Sequence, residues 1–253
     1  MLADAALPGQ MKIILGDVLA YNFDSLFPQE LRTEWSERPP PIHVVGNLPF
    51  NISTPLIIKW MRLMSEQSGF YQMGRVPLTL TFQKEVAERM IAPVLHYQRS
   101  RLSIICQNWC DVKIKFSMSG KNFLPVSNVE VSVVKFVPLV EPRIKVPFKV
   151  LEKFVRHLFH YRNKQIKHSI ATLFPPDLKD LTHELFLQTG IEQELTPAML
   201  SIEEIGALCT LYLDMCQENY GLFEYDFRAK KTIPRSLLKQ IAASNELQPT
   251  SQL

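Results

Sequence analysis

The stretch Ile42-His-Val-Val-Gly-Asn-Leu-Pro-Phe-Asn-Ile-Ser-Thr-Pro55 decides the fold. Residues 42–45 form a short apolar run of the kind a buried parallel strand needs, and Gly46-Asn47 stops it. A helix is predicted over 55–64, with Thr54 as its N-cap and Pro55 at its first position, where a missing N–H costs nothing. A strand followed at once by polar residues and a helix is how an open α/β sheet presents ligand groups, at the carboxyl end of a strand.

Working outward, residues 11–15 (Met-Lys-Ile-Ile-Leu) read as another buried strand, ended by Gly16-Asp17. A polar loop with three successive prolines, Pro39 to Pro41, separates the two strands. Downstream, strands are predicted over 76–82, 112–116 and 129–137, and helices over 84–91 and 102–109. This alternation predicts a doubly wound, Rossmann-like α/β sheet. The character changes after residue 140, where Pro138, Pro142 and Pro147 punctuate a linker. Apolar residues then recur at helical spacing (Leu151, Phe154, Val155, Leu158, Phe159, then Ile166, Ile170, Leu173), predicting a helix that Pro175-Pro176 ends. Another helix is predicted over 201–217, opened by a Ser201/Glu204 capping box. The expected organisation is an α/β domain over 1–140, an all-helical domain over 141–241 and a polar, disordered tail over 242–253. The start, Met1-Leu-Ala-Asp-Ala-Ala before Pro8-Gly9, reads as the end of a helix, as if the chain began inside a domain.

At 253 residues with 46% apolar side chains, the chain has material for a sizeable core. No apolar run is long enough to cross a bilayer, so no membrane partner is expected. The net charge is only +3, but its distribution is uneven. Residues 143–168 hold Arg143, Lys145, Lys149, Lys153, Arg156, Arg162, Lys164 and Lys167 against a single acid, Glu152; residues 228–239 hold no acid. A solvated helix face mixes signs, so missing acids turn the reading toward phosphate contact. Cys106, Cys110, Cys209 and Cys216 match no zinc spacing and read as buried, reduced thiols; no metal is expected.

Asn47-Leu48-Pro49-Phe50 fits one chemistry well. The lone pair of an exocyclic adenine amine is delocalised into the ring, which makes the nitrogen a poor nucleophile. An Asn side-chain oxygen and a main-chain carbonyl can each accept one N6 hydrogen bond, favouring a pyramidal nitrogen whose lone pair faces a methyl donor. Such catalysis is orientational and electrostatic, and needs no strong base. Pro49 keeps Leu48 extended, aiming its carbonyl, and Phe50 offers a flat face to an unstacked base. An Asn-x-Pro-aromatic string alone arises by chance in roughly a few per cent of chains this long, and a plain strand-to-loop turn would explain it.

Four ordered motifs go further. Gly46-Asn-Leu-Pro-Phe-Asn-Ile-Ser-Thr-Pro55, Gln83-Lys-Glu-Val-Ala-Glu-Arg89, Arg101-Leu-Ser103 and Phe123-Leu-Pro125 before Val129-Glu-Val-Ser-Val-Val134 together resemble the ribosomal RNA adenine dimethyltransferase family. The likeness, which includes Leu222-Phe-Glu-Tyr-Asp-Phe-Arg228, is strongest to the family's mitochondrial branch. The resemblance implies S-adenosylmethionine as cofactor and dimethylation of N6 on two adjacent adenosines of a small-subunit ribosomal RNA loop. It also implies a role in ribosome assembly, a mitochondrial matrix location and a monomer. By position, Asp17 resembles the acid that accepts from the donor's adenine amine, and Val18 the neighbour whose backbone meets that ring. Asn47 would touch both donor and target, and Phe50 and Phe123 would sandwich the flipped base. Lys153, Arg156, Arg162, Lys164 and Lys167 would meet RNA. Residue by residue, a turn acid would explain Asp17 and a core aromatic Phe123.

Asn163 stands where relatives carry a second Arg, and Val126-Ser127 replace prolines after Pro125. A larger departure is that no two of the nine glycines are spaced Gly-x-Gly. The family's glycine-rich turn, and the acid that follows it to hold the ribose, have no counterpart in these 253 residues, so N-terminal strands of the sheet are expected to be missing. The chain by itself is therefore expected to be inactive. Against the enzyme stands a non-catalytic RNA-binding protein, serving ribosome assembly or the mitochondrial transcription machinery. A DNA adenine methyltransferase is a third reading, opposed by Leu48, where those enzymes carry Pro.

Overall fold

The computed structural model describes residues 11–24, 26–122 and 128–229. A four-stranded sheet carries β1 (Val44–Asn47), β2 (Leu78–Gln83), β3 (Cys110–Met118) and β4 (Val131–Pro138) in the order β1-β2-β4-β3. β1 and β2 are parallel, and β4 runs antiparallel to both its neighbours. Among the described residues no crossover helix separates β3 from β4, a direct connection that antiparallel neighbours allow.

Helix α1 (Phe50–Ser65) links β1 to β2, and α2 (Lys84–Ile91) and α3 (Arg101–Trp109) link β2 to β3. Leu56, Ile57, Trp60, Met61 and Met64 form the buried stripe of α1, at the spacing of one helix face. They pack with Leu78, Leu80 and Phe82, which alternate along β2 with the half-exposed Thr79, Thr81 and Gln83. The remaining helices are α4 (Phe148–Leu158), α5 (Ile166–Ile170), α6 (Asp180–Thr189) and α7 (Ile202–Glu218). The Ser201/Glu204 capping box closes as expected: Glu204 N–H donates to Ser201 Oγ at 3.0 Å and Ser201 N–H to Glu204 Oε2 at 2.7 Å.

Three sequence expectations need correcting. Residues 11–15 form no strand: Met11, Ile13, Ile14 and Leu15 are exposed, and among the described residues nothing pairs with them. A strand is defined by its partners, which its own residues cannot supply. The helix expected to start at Pro55 starts at Phe50, so the proline that opens it is the N-cap Pro49; Pro55 lies within. The single helix expected over 151–174 is two, because the polar residues Tyr161, Arg162, Asn163 and Lys164 turn outward between α4 and α5. Phe159 and Ile166 are seven residues apart, so the apolar spacing runs on across the break and imitates a continuous helix. The expected helix end before Pro8 and the tail over 242–253 lie outside the described residues.

Buried residues before and after residue 140 form one core. Trp109 of α3 stacks on Phe148 of α4 with ring centroids 5.2 Å apart. The buried Asn108 side chain accepts from Ile144 N–H at 2.6 Å and donates to the Ile144 carbonyl at 3.3 Å, pairing with the linker as a strand would. Cys106, Cys110 and Cys209 are buried and, like the half-buried Cys216, free; burial pushes their thiols up, so none is primed as a nucleophile.

Candidate functional site

The β1–β2 register places Asn47 opposite Thr81. The Thr81 hydroxyl donates to Asn47 Oδ1 at 2.8 Å and accepts from Leu48 N–H at 3.2 Å. One hydroxyl thereby fixes both residues at the point where the chain leaves the sheet. Its single hydrogen is engaged by Asn47, so the amide is held oxygen-inward while a second lone pair on that oxygen stays open. Asn47 is exposed, Leu48 half-buried, and Phe50, 36% exposed, opens α1. Pro49 ends the extended backbone, and its carbonyl accepts from Ile52 and Ser53 N–H at 3.2 and 3.1 Å. Asn47, Leu48, Pro49 and Phe50 therefore form one compact strand-to-helix turn. Thr81 escaped the sequence reading. The alternation Leu-Thr-Leu-Thr-Phe-Gln puts it on the less buried face of β2, but only the register shows which residue it meets.

Asp17 and Val18 lie in a separate turn. Asp17 Oδ1 accepts from Leu19 N–H at 2.8 Å, and the Asp17 carbonyl from Ala20 and Tyr21 N–H. Asp17 is exposed and Val18 half-buried against the core. Lys59 of α1 holds this turn, its ammonium donating to the Leu19 and Tyr21 carbonyls at 2.7 and 3.3 Å and lying 5.5 Å from the centre of the Phe23 ring. The turn is thus fastened to the helix that Phe50 opens, although no hydrogen bond joins Asp17 to Asn47 among the described residues. Phe123 lies outside the described residues.

Of the expected RNA-facing cations, Arg156, Arg162 and Lys164 are exposed, and Lys167 is 3.5 Å from Glu194. Lys153 is a correction: it is 7% exposed and belongs to the core. Its ammonium donates to the Phe223 and Tyr225 carbonyls and lies over the Phe223 and Tyr212 rings at 5.0 and 6.0 Å. Burial pushes it down to about 8. Helical spacing put Lys153 beside Arg156, but the segment over 222–225 folds back across it. Elsewhere a cleft of about 390 Å³ is lined by Arg99, Arg143, Asp111 and Glu203, whose opposed charges balance. No group of His, Cys, Asp and Glu among the described residues could hold a metal ion.

A mixed α/β sheet with an Asn-Leu-Pro-Phe turn at a strand end defines a Rossmann-like methyltransferase fold, and the comparisons with known proteins agree. The family model described as ribosomal RNA adenine dimethylase matches residues 3–210, and the chain belongs to that family. The chain is 42% identical over 228 residues to the mitochondrial dimethyladenosine transferase 1 of Xenopus tropicalis. It is 44% identical over 229 residues to the protein of that name from Homo sapiens. Each match covers 90% of this chain and 66% of the relative, so the chain spans just under two thirds of their length. The crystal structure of a dimethyladenosine transferase from Plasmodium falciparum shares the fold, with a TM-score of 0.57 at 22% identity over 70% of this chain and 69% of that one.

The junction behind the basic face makes a pH prediction. His157 is 2% exposed, its Nδ1 lies 2.8 Å from Thr172 Oγ1, and its ring packs on Phe227. Burial, then the charges of Lys153 and Arg156, push it down to about 4, against the weaker opposite pull of Asp226. The unfolded chain takes up this proton near pH 6.5 and the folded chain only near 4, so stability is full above 6.5 and falls between the two. Thermal melts from pH 7 to 4 should show a shallower acid decline for His157→Gln than for the parent. Parallel declines would remove His157 from the acid response.

Proposed function

We propose that this protein is an S-adenosylmethionine-dependent enzyme that dimethylates N6 of two adjacent adenosines in a small-subunit ribosomal RNA loop, in the mitochondrial matrix. The observation that carries this reading is Asn47 at the end of β1, its side-chain oxygen oriented by Thr81 within a chain of the matching family. Asn47 Oδ1, with its free lone pair, and the Leu48 carbonyl are the two acceptors an exocyclic amine needs. Phe50 supplies the stacking face, and the family likeness adds Phe123 on the other side of the base. As the C–N bond forms, the nitrogen gains positive charge, which both acceptors stabilise, and the surplus proton leaves to water. The cofactor, when bound, supplies a methyl group activated by a sulfonium. The described residues fit part of it: the second carboxylate oxygen of Asp17 can take the adenine amine, and Val18 offers an apolar edge to the ring. No described residue takes the place of the acid expected at the ribose.

Residues 141–241, through Arg156, Arg162, Lys164 and Lys167, would hold the RNA backbone as a monomeric partner of the pre-ribosomal particle. A second reading applies to the 253-residue chain on its own. With no Gly-x-Gly turn, it would bind RNA without catalysis, as an assembly factor or a component of the transcription machinery.

The two readings separate experimentally. Isothermal titration of the chain with S-adenosylmethionine should show no saturable heat at micromolar concentrations; one-to-one binding would show that these 253 residues hold the donor unaided and would overturn the non-catalytic reading. In a chimera that places a glycine-rich donor-binding segment of the family ahead of residue 11, labelled methyl groups should enter a ribosomal RNA hairpin. There Asn47→Ala should lose about a hundredfold or more in rate, with RNA affinity intact. Thr81→Val should lose roughly five- to tenfold, the worth of one neutral hydrogen bond. Full activity in Asn47→Ala would end the proposed mechanism. Replacing Arg156, Arg162, Lys164 and Lys167 with Gln should flatten the slope of log affinity against log salt by up to roughly 0.7–0.9 for each phosphate no longer neutralised. An unchanged slope would make this an ordinary solvated face.

A further inference from the structure

Two exposed tyrosines on different segments sit beside the same basic residue, Arg162, and the loop that carries one of them is anchored by several hydrogen bonds. Tyr97, 72% exposed, lies in the loop between α2 and α3, its ring 4.7 Å from that of His96. The loop is fastened from beneath. Arg99, 3% exposed, donates to the Ala92 and Leu200 carbonyls at 3.1 Å each. Leu95 N–H donates to the Ala198 carbonyl at 2.8 Å, and Gln98 Nε2 to Glu88 at 2.8 Å. Leu95 itself takes a φ of +67°, a strained conformation for a branched side chain, and its side chain is 72% exposed. An exposed aromatic on a strained and heavily anchored loop serves no packing purpose. What the anchoring provides is a ring already held in place.

Tyr161, 42% exposed, lies in the outward turn between α4 and α5, with its ring 4.3 Å from that of His160. His160 in turn packs on Phe227 at 5.1 Å, and the Arg228 guanidinium covers Phe227 at 5.2 Å while donating to His160 Nδ1 at 2.7 Å. Arg162 joins the two clusters: its guanidinium donates to the Tyr97 carbonyl at 3.1 Å across 65 residues of sequence. Glu88 beside the Tyr97 loop is engaged by Gln98, and Arg156 and Lys164 are exposed, although Glu152, Glu224 and Asp226 line the flank of Arg156 away from Tyr97.

From this arrangement we propose that Tyr97 and Tyr161, bridged by Arg162, form a stacking platform for unpaired nucleotides of a folded RNA. Rings alternating with guanidinium groups suit a strand that offers π faces and phosphates in turn. A duplex would keep its bases stacked and out of reach of these rings, so an unpaired strand is the partner they suit. The inference deepens the RNA-methylating reading and rests on it. It adds a grip on the unpaired loop at a place separate from the Asn47 turn.

The test uses the 253-residue chain, an RNA hairpin with 2-aminopurine in its loop, and a blunt RNA duplex of equal length. Binding should quench 2-aminopurine in the hairpin. Tyr97→Ala and Tyr161→Ala should each weaken hairpin binding by roughly tenfold and reduce the quenching, while duplex affinity stays unchanged. Tyr97→Phe and Tyr161→Phe keep the ring and should bind like the parent, which separates stacking from a folding defect. Hairpin binding without quenching, or undiminished in both alanine variants, overturns the platform and leaves the RNA-binding reading standing. Equal losses on hairpin and duplex reduce the surface to a charge contact and overturn it too. Failure of the parent chain to bind either RNA defeats the platform and the RNA-binding reading together.

Discussion

The pairing of Asn47 with Thr81 is the constraint on which the site depends. A parallel ladder must end somewhere, and the first N–H beyond it needs a partner. Thr81 supplies one for Leu48, and Pro49, next in the chain, has no N–H to satisfy. The Pro49 carbonyl then starts α1, so the chain passes from strand to helix within two residues. Gly46 answers the same need for close packing. A Cβ there would lie 3.0 Å from Leu80 Cδ2 and 3.1 Å from Leu48 Cδ2, tight against the pair that seals the turn. The exposed Asn47 amide is thus held by a frame that packing has already fixed.

The sheet and the helices after residue 140 are joined by specific contacts. Arg75 donates to the carbonyls of Trp35 and Pro138 at 2.8 and 3.1 Å and to that of Glu37, tying the proline-rich loop to the end of β4. Trp35 Nε1 donates to the Val140 carbonyl at 2.9 Å. Across the linker, Arg62 of α1 lies over Phe148 and 3.6 Å from Glu152, both on α4. These bonds fix how the basic helical face sits relative to the Asn47 turn. A substrate touching both would meet a surface already in register, with little ordering left to do.

Neighbouring cations in one run do different work. Lys153 directs its charge at two carbonyls and two rings and secures the 222–225 segment. Arg162 gives one N–H to the Tyr97 carbonyl and keeps its head exposed. Arg156 and Lys164 are exposed as well. A count of basic residues cannot separate these roles, because burial is decided by segments that lie far away in sequence.

The sequence by itself determined that a strand, a turn and a helix follow one another around Asn47, though the strand spans 44–47 instead of 42–45 and the helix opens at Phe50 instead of Pro55; it also determined helix α2 to the residue, the Ser201/Glu204 cap and the α/β character. Each of these follows from local periodicity, turn chemistry or capping, which act over a few residues. The Asn-Leu-Pro-Phe turn was legible because its chemistry sits in four successive residues. Only the tertiary structure decided the rest. Among the described residues it left 11–15 without a strand partner, set β4 antiparallel to its neighbours, broke the helix at Tyr161, buried Lys153 and brought Thr81 to Asn47 and Arg162 to Tyr97. Each of these depends on which distant segment arrives beside a residue. Hydrogen bonds between strands and contacts across 65 residues leave no period in the sequence to read.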